Sequence, residues 1–294
     1  MSAPQVSVII PCHNREDTVA EAVQSVLDQD FTDLDVIVVD DASTDGTMDV
    51  VRAMTDPRVR VSSNPGPRGP SAARNHGVAL TEAPWIAFQD SDDVWMTDKL
   101  RQQMAKLEDS AFVAAYCGML VKADARPETA VQARFPDPAT TPLEGDILPS
   151  LTRGSYISTQ MLIIRRDVFE AVGGFDEDLR ALVDWELMLR VAQQGPVAFV
   201  DEDLVVQRMS DNSITRSSQK RLAAQEYVLS KHGALLALYP EALARHHHRI
   251  AGGHRMFKNW KAAARHATMA VRATPTNPRY LAYAGYLQCR ALLA

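Results

Sequence analysis

Short apolar runs alternate with amphipathic stretches along the first third of the chain. Four runs have the length and the apolar or β-branched character of buried strands: residues 6–10, 36–39, 59–61 and 85–88. Residues 16–29 place their apolar side chains on one helical face, and two more helices are predicted from about residues 47 and 71. Because strands that alternate with helices need crossover connections, the pattern predicts an α/β fold with a mostly parallel sheet and helices on both faces.

The rest of the chain is less regular. Residues 124–150 contain five prolines and little periodicity, which predicts a long mobile loop. A further strand is predicted at residues 158–164 and a helix at residues 184–194, and the last part of the chain is helical and rich in alanine. We therefore expect an α/β domain over residues 1–215 and a helical C-terminal region over residues 216–294.

The charge is divided unevenly between these two parts. The chain has 31 basic and 37 acidic residues and a net charge of −6, yet no acid follows Glu241 while nine bases do. Such a basic surface is expected either to be solvated or to contact anionic lipid, where each base contributes about 1 kcal/mol. Nucleic acid is not expected as a partner, because the acidic remainder would repel it. Residues 258–275 resemble the second helix of a single tetratricopeptide-like hairpin.

The cysteines and the N-terminal residues indicate the cellular compartment in which the protein is expected. Cys12, Cys117 and Cys289 lie far apart and show no metal-ligand spacing, so we interpret them as reduced thiols of a cytoplasmic protein. The apolar run at residues 6–10 is too short for a signal peptide, and no window approaches a membrane span.

Three carboxylates, Asp90, Asp92 and Asp93, follow the fourth predicted strand within four residues. Their mutual repulsion makes burial costly unless a cation is present, and such hard oxygen ligands suit Mg²⁺ or Mn²⁺. A helix N-cap or a solvated turn is the alternative interpretation. The apolar strand that leads directly into the cluster favours the metal.

Polar residues also follow the first two predicted strands, at residues 11–15 and 40–47. A carboxylate at a strand end can accept hydrogen bonds from a nucleobase or a ribose, whereas Asp45 is better explained as the start of a helix. Residues 11–15 contain no glycine, which excludes a dinucleotide-binding G-x-G-x-x-G turn and a P-loop, and with them a Rossmann dehydrogenase.

Taken in order, these segments resemble the family 2 glycosyltransferases, which have the GT-A fold. The resemblance covers roughly residues 5–215. The segments that carry it are residues 6–14 (VSVIIPCHN), 38–47 (VVDDASTDGT), 71–77 (SAARNHG), 88–93 (FQDSDD), 173–177 (GGFDE) and 184–187 (DWEL). Each motif is weak alone, but the ordered set is highly specific.

The resemblance implies a binding site for a nucleotide sugar. Pro11 and His13 would line the nucleobase pocket, Asp41 would contact the base, and Arg74 would lie near the nucleotide. A uridine diphosphate donor is the commonest in the family.

The resemblance also implies the groups that act on the diphosphate and on the acceptor. Asp90 would reach the ribose or the metal, and Asp92 would ligate Mn²⁺ or Mg²⁺ on the donor diphosphate. Asp184 matches the family's general base, although Val183 stands where the family commonly has Glu. An N-cap role for Asp184 is the alternative, and the two roles are compatible because a helix N-terminus keeps a carboxylate ionised.

A further segment resembles the loop that closes over the diphosphate in this family. It begins at Arg208 and includes Ser213. By the resemblance, Arg208 would bind the nucleotide sugar.

These expectations describe an inverting, metal-dependent glycosyltransferase that moves a sugar to a hydroxyl acceptor, which is a saccharide or a lipid-linked molecule. Bacterial polysaccharide or glycolipid assembly is the expected context, in the cytoplasm or at the periphery of the inner membrane. One alternative is a degenerate, non-catalytic nucleotide-binding scaffold. The other is a sugar-phosphate nucleotidyltransferase, which would require a glycine-rich basic loop after the first strand.

Overall fold

The computed structural model describes residues 3–108, 110–124, 126, 128–137, 139, 142–208 and 218–293. The chain forms two compact units. We call residues 1–148, 155–178 and 183–213 the sheet unit, and residues 149–154, 179–182 and 214–294 the helical unit.

The sheet unit is built on one mixed sheet of nine strands in the order β3-β2-β1-β4-β8-β6-β9-β5, with β7 paired to β6. The longer pairings, β1 with β2 and β6 with β9, are parallel, whereas β8 is antiparallel to both of its neighbours. The strands are β1 Val6–Cys12, β2 Leu34–Asp40, β3 Val59–Ser63, β4 Trp85–Phe88, β5 Val94–Trp95, β6 Ala114–Lys122, β7 Ala133–Phe135, β8 Ile163–Arg165 and β9 Val197–Arg208.

The central strands are buried along their whole length, as expected of strands covered on both faces. β1 continues two residues beyond the predicted end and includes Pro11. The Ile9 carbonyl accepts from Gln89 N, directly after β4, at 3.0 Å. Alternate residues of a strand face the same neighbouring strand, so the nitrogen of Pro11 also points toward the β4 side. β4 has already ended at Phe88. Pro11 therefore removes no hydrogen bond from the sheet.

Helices connect and flank these strands. Helix α1 buries the apolar face predicted from residues 16–29, although it is shorter than that stretch. The predicted helix at residues 184–194 is α7, which starts one residue earlier and ends three residues earlier. The helices of this part of the chain are α1 Val19–Leu27, α2 Thr47–Arg52, α3 Pro70–Ala79, α4 Lys99–Leu107, α5 Leu148–Leu151, α6 Arg166–Ala171 and α7 Val183–Val191.

The middle of the chain differs from its prediction. Within the described part of residues 124–150 the structure forms β7 and the start of α5. The strand predicted at residues 158–164 is wrong over its first part, where a 3-10 turn forms at Thr159–Met161 before the short strand β8. The Met161 amide hydrogen bonds back to the Ser158 carbonyl at 3.0 Å, and this turn interrupts an otherwise apolar run.

The helical unit consists largely of five helices, α8 Ser218–Lys231, α9 Gly233–Ala237, α10 Pro240–Met256, α11 Trp260–Ala273 and α12 Pro278–Leu292. Alanines dominate the small core shared by the last three helices, which also contains Leu287. The side chains of Asn259 and Asn277 cap α11 and α12 by accepting from Ala262 N and Arg279 N. Among the described residues, no helix is both long enough and apolar enough to cross a membrane.

Candidate active site

The loops that follow β1 and β2 are joined by hydrogen bonds. Asn14 has a positive φ of 52°, and its Oδ1 accepts from Thr44 N at 2.8 Å while its own amide donates to Ser43 Oγ at 3.0 Å. His13 is exposed, and its Nδ1 lies 3.0 Å from the Asp41 carbonyl oxygen. His13 and Asp41, which the sequence assigned to the nucleobase, are therefore neighbours.

The Asp41 carboxylate is already engaged within the protein. Its Oδ1 accepts from Asn64 Nδ2 at 2.8 Å, and its Oδ2 accepts from Gly69 N at 2.7 Å. Asp41 thus holds residues 64–69, which we call the rim loop. A carboxylate has about four lone-pair sites, so each oxygen retains capacity for one more donor.

Asp45 has a structural role in the turn that leads into α2. Asp45 Oδ1 accepts from Thr47 N at 3.0 Å, which is the geometry of a turn that leads into a helix. The hydrogen bond to the Thr47 hydroxyl is the main cause that lowers the pKa of Asp45.

Arg74 connects α3 to residues 90–93, which we call the acid turn. The Arg74 side chain is 6% exposed, and Nη2 donates to Asp90 Oδ1 at 2.5 Å. The same group lies 5.4 Å from the centre of the Phe175 ring. The two residues that sequence analysis placed near the nucleotide, Arg74 and Asp90, are therefore in direct contact.

Asp92 has a different environment from Asp90. Its side chain is 26% exposed, and Oδ2 lies 3.4 Å from Arg15 Nη2. Burial and the charge of Asp90 raise the pKa of Asp92, while Arg15 and Arg208 oppose that shift. Asp92 thus lies between another carboxylate and two arginines, whose charges act on it in opposite directions.

Asp93 is buried and has a structural role. Its Oδ1 accepts from Arg208 N at 2.9 Å, and its Oδ2 accepts from Gln160 Nε2 at 2.8 Å. Burial and the two neighbouring acids raise its pKa well above the usual range. Asp93 therefore ties the acid turn to the end of β9 and to the 3-10 turn before β8.

Arg208 ends β9 beside the acid turn. Its Nη2 lies 2.5 Å from Glu21 Oε1 on α1. Its buried Nε has no hydrogen-bond partner among the residues that the structure describes. The other residue assigned to the diphosphate loop, Ser213, lies outside the described residues.

Asp184 occupies the first turn of α7, and its Oδ1 accepts from Trp185 N at 2.7 Å. This contact lies within the first turn of the helix. Upstream, Asn75 Oδ1 accepts from Phe175 N at 2.9 Å, and Asn75 Nδ2 donates to the Phe175 carbonyl at 2.9 Å. The motif at residues 173–177 is therefore fixed to α3, next to Arg74.

Sequence analysis gave no role to three residues that shape this site. Arg15 pairs with Asp92, Gln160 binds Asp93, and Asn75 holds the motif at residues 173–177. Asn75 lies inside a motif that carries the family resemblance, and Arg15 directly follows another, which was the available signal. Gln160 lies in no motif.

With this geometry established, the chain can be compared with known proteins. Residues 7–173, more than half of the chain, match the family described as Glycosyl transferase family 2. The chain belongs to this family. Members with curated names include the UDP-Glc:alpha-D-GlcNAc-diphosphoundecaprenol beta-1,3-glucosyltransferase WfaP of Escherichia coli, which is 34% identical over 119 residues. That alignment covers 40% of this chain and 47% of WfaP, and the chain spans between about a third and a half of the first curated relatives it matches.

Solved structures show the same fold. The crystal structure of Staphylococcus aureus TarS 1–349 in complex with UDP-GlcNAc has a TM-score of 0.70 at 18% identity, covering 97% of this chain and 88% of TarS. The mannosyltransferase PcManGT from Pyrobaculum calidifontis, in complex with GDP-Man and Mn²⁺, has a TM-score of 0.59 at 22% identity and covers 99% and 87%. The predicted fold, GT-A with helices after it, is confirmed.

Proposed function

We propose that this glycosyltransferase is inverting and metal-dependent, and that it moves a sugar from a uridine diphosphate sugar to a hydroxyl group. The observation that carries the proposal is the acid turn, where two partly exposed carboxylates, Asp90 and Asp92, lie at the end of a buried strand beside Arg74 and Arg15. In open α/β sheets, ligands bind beyond the carboxyl ends of the strands, and this is where the acid turn lies.

The donor set of the acid turn fits a divalent cation. The pKa of Asp92 is raised by burial and by Asp90, so the two ionised carboxylates repel each other. Asp92, with Asp90 beside it, would hold Mg²⁺ or Mn²⁺, and the D-x-D spacing of Asp90-Ser91-Asp92 agrees with such a site. The bound ion would neutralise charge on the departing diphosphate. Mn²⁺ is present in the structure of PcManGT.

The side chains around the acid turn complete the donor site in this proposal. Arg15 and Arg208 supply positive charge near Asp92, and the unpartnered Nε of Arg208 is available to an anionic oxygen. His13 and Pro11 would pack against the nucleobase, and Asp41 would accept from the base while it holds the rim loop. TarS binds UDP-GlcNAc in its crystal structure, which supports a uridine diphosphate donor.

Asp184 acts as the general base in the proposed reaction. Its carboxylate removes the proton from the acceptor hydroxyl as that oxygen attacks the anomeric carbon on the face opposite the diphosphate. The new glycosidic bond forms as the bond to the diphosphate breaks, so a single displacement inverts the configuration. The helix N-terminus around Asp184 favours its ionised form.

A saccharide or lipid-linked acceptor is proposed, in bacterial polysaccharide or glycolipid assembly. The name of WfaP describes transfer to a sugar on diphosphoundecaprenol. All nine basic residues after Glu241 are exposed, which supports contact with anionic membrane through the helical unit. Flotation with anionic vesicles tests this contact: binding that salt abolishes supports it, and equal binding of a Lys258→Glu, Lys261→Glu variant contradicts it.

The donor site is tested by a thermal-shift screen of nucleoside diphosphates and nucleotide sugars, with and without Mn²⁺. A ligand at 100 times its Kd stabilises the folded protein by about 2.7 kcal/mol. We expect a Mn²⁺-dependent shift for a uridine nucleotide that Asp92→Ala abolishes and that Asp167→Ala, a change on the exposed start of α6, retains. No shift with any nucleotide would instead favour the non-catalytic scaffold.

A further inference from the structure

Three potential metal ligands meet in the helical unit, from three different helices. They are Glu226 on α8, His254 on α10 and His266 on α11. Glu226 Oε1 lies 2.9 Å from His254 Nε2 and 3.2 Å from His266 Nε2, and all three donor atoms lie within 4.8 Å of one another. Glu226 is separated from the nearer histidine by 28 residues of sequence, so helix packing alone creates this cluster.

His266 is the residue in the cluster whose donor atom lacks a hydrogen-bond partner. The residue is 7% exposed, and its buried Nε2 makes no hydrogen bond with any described residue, because the approach to Glu226 has the distance of an ion pair without the geometry of a hydrogen bond. A buried imidazole nitrogen without a partner is destabilising, because its lost contact with water is not replaced. A cation between Nε2 and the carboxylate would satisfy both.

The other ring nitrogen of His266 is oriented by a second histidine. His266 Nδ1 lies 3.1 Å from His247 Nδ1, so one of the two carries the proton and donates to the other. When His266 donates through Nδ1, its Nε2 lone pair points at Glu226 and is available to a metal. A ligand histidine that donates its remaining N–H to a neighbour is the usual arrangement around protein-bound zinc.

The geometry points to a zinc site formed by Glu226, His254 and His266. Zinc bonds of about 2.0–2.1 Å in a tetrahedron place the donor atoms about 3.3 Å apart, close to the two distances measured to the Glu226 oxygen. Two imidazoles and one carboxylate suit Zn²⁺, whereas Mg²⁺ and Ca²⁺ prefer oxygen ligands alone. Glu226 is one-third exposed, so water can take the fourth position.

Such a site would link α8, α10 and α11 into one unit. Helices α10 and α11 otherwise share with α12 a core made mainly of alanine, whose small side chains bury little area each. Zinc bound by the folded helices and not by the unfolded chain stabilises the fold.

The test uses the full chain, stripped with a chelator and titrated with Zn²⁺ by calorimetry. The titration is done on the wild type and on an Asp92→Asn background, so that the acid turn does not contribute. We expect one equivalent of Zn²⁺ bound on the Asp92→Asn background, a rise in Tm with Zn²⁺, and visible absorption bands with Co²⁺ typical of a tetrahedral site.

Variants on that background locate the metal. Glu226→Gln and His266→Gln should lose the bound equivalent, and His247→Gln should weaken its affinity by about 10–100-fold, as removal of an outer hydrogen-bond partner does. His248→Gln is the matched control, because His248 belongs to the same histidine run but not to the cluster. If His266→Gln fails to fold, Glu226→Gln and His254→Gln decide.

Three results would overturn the zinc site. One is the absence of binding to the Asp92→Asn protein, and another is equal binding by the Glu226→Gln variant. The third is loss of zinc in the His248→Gln variant, which would assign the metal to the run at residues 246–248.

Discussion

The sheet unit and the helical unit bring ionisable side chains together in different ways. In the sheet unit, Asp90, Asp92 and Asp93 are neighbours in sequence, and the end of β4 presents them together. In the helical unit, Glu226, His254 and His266 are far apart in sequence and meet only because α8, α10 and α11 pack together.

This contrast separates two kinds of dependence on the fold. The acid turn needs one strand end and a few hydrogen bonds, so a conservative change there should alter ligand binding and chemistry more than stability. The cluster of the helical unit depends on the packing of three helices. A change that loosens this packing should therefore also separate the side chains of the cluster. Four predictions test this contrast, from the largest expected effect to the smallest.

Asp184→Asn tests whether a change in the sheet unit acts on chemistry alone. Loss of a general base should lower kcat by about 10²–10⁴-fold. The free energy of unfolding should change by less than about 1 kcal/mol, because the amide oxygen can still accept from Trp185 N. Steady-state kinetics with the donor found by thermal shift, together with urea unfolding, measure both.

Asp167→Asn is the matched control for Asp184. Asp167 lies in the first turn of α6 and accepts from the next amide, Val168 N, at 2.8 Å, as Asp184 accepts from Trp185 N. If both variants lose activity equally, the assignment of Asp184 as the base is wrong. If Asp184→Asn unfolds the protein, the contrast between the units fails at this position.

Lys99→Met tests a charge buried in the sheet unit. Lys99 is fully buried, its Nζ donates to Gln103 Oε1 at 2.8 Å and lies 3.7 Å from the centre of the Trp95 ring. Burial lowers its pKa from 10.5 to about 8. Between pH 8 and 10.5 the unfolded chain binds the proton more tightly, so stability rises with pH across that window, by about 3 kcal/mol.

The Lys99→Met variant should lack this alkaline rise. Urea unfolding at several pH values measures the difference between wild type and variant. A constant difference between pH 8 and 10.5 would show that the lysine has an ordinary pKa. The difference in the free energy of unfolding at a single pH is less informative than its change with pH. The variant also leaves Gln103 Oε1 without its donor, which affects stability at every pH.

Gly174→Ala tests how tightly the motif at residues 173–177 is fixed. Gly174 has a φ of +67°, and an added Cβ would lie 2.7 Å from Asn75 Oδ1. The strain and the contact together should cost about 2 kcal/mol. Gly173→Ala is the control, since its φ is +82° but no atom lies within 4 Å of the added Cβ, and it should cost about 1 kcal/mol. An equal loss of stability in the two variants would show that the Asn75 side chain moves away from the added Cβ at little cost.

Asn259→Ala gives the smallest expected effect and acts in the helical unit. Asn259 Oδ1 accepts from Ala262 N at 3.3 Å at the start of α11. Loss of such a cap should cost about 1 kcal/mol, and Asn259→Ser should restore most of it. If α11 loosens, the affinity for Zn²⁺ should fall in step with stability. A loss of stability that leaves Zn²⁺ binding unchanged would contradict the link between packing and the cluster.

The same contrast explains what the sequence could predict. Strands β1 to β4 and the first three helices were recognisable because their periodicity is local, and the residues after β1, β2 and β4 follow from the rule about strand ends. β6 and β9 were missed. Their pairing joins residues about 83 positions apart, and the exposed acids at 201 and 202 interrupt the apolar pattern of β9.

The contacts of individual side chains were harder to predict from the sequence. Nothing in the sequence shows that Gln160 binds Asp93 or that Arg15 pairs with Asp92, because these contacts depend on how distant segments are placed. The cluster in the helical unit was invisible for the same reason. The sequence has a histidine run at residues 246–248, but His254 and His266 supply the nitrogens near Glu226.

The buried carboxylate of Asp93 has a consequence for engineering. Because it holds the Arg208 amide, the end of β9 is fixed beside the acid turn. A segment from another family member, joined immediately after Arg208, would begin from the same anchor. Exchanges made at this junction would leave the contact between Asp93 and β9 intact.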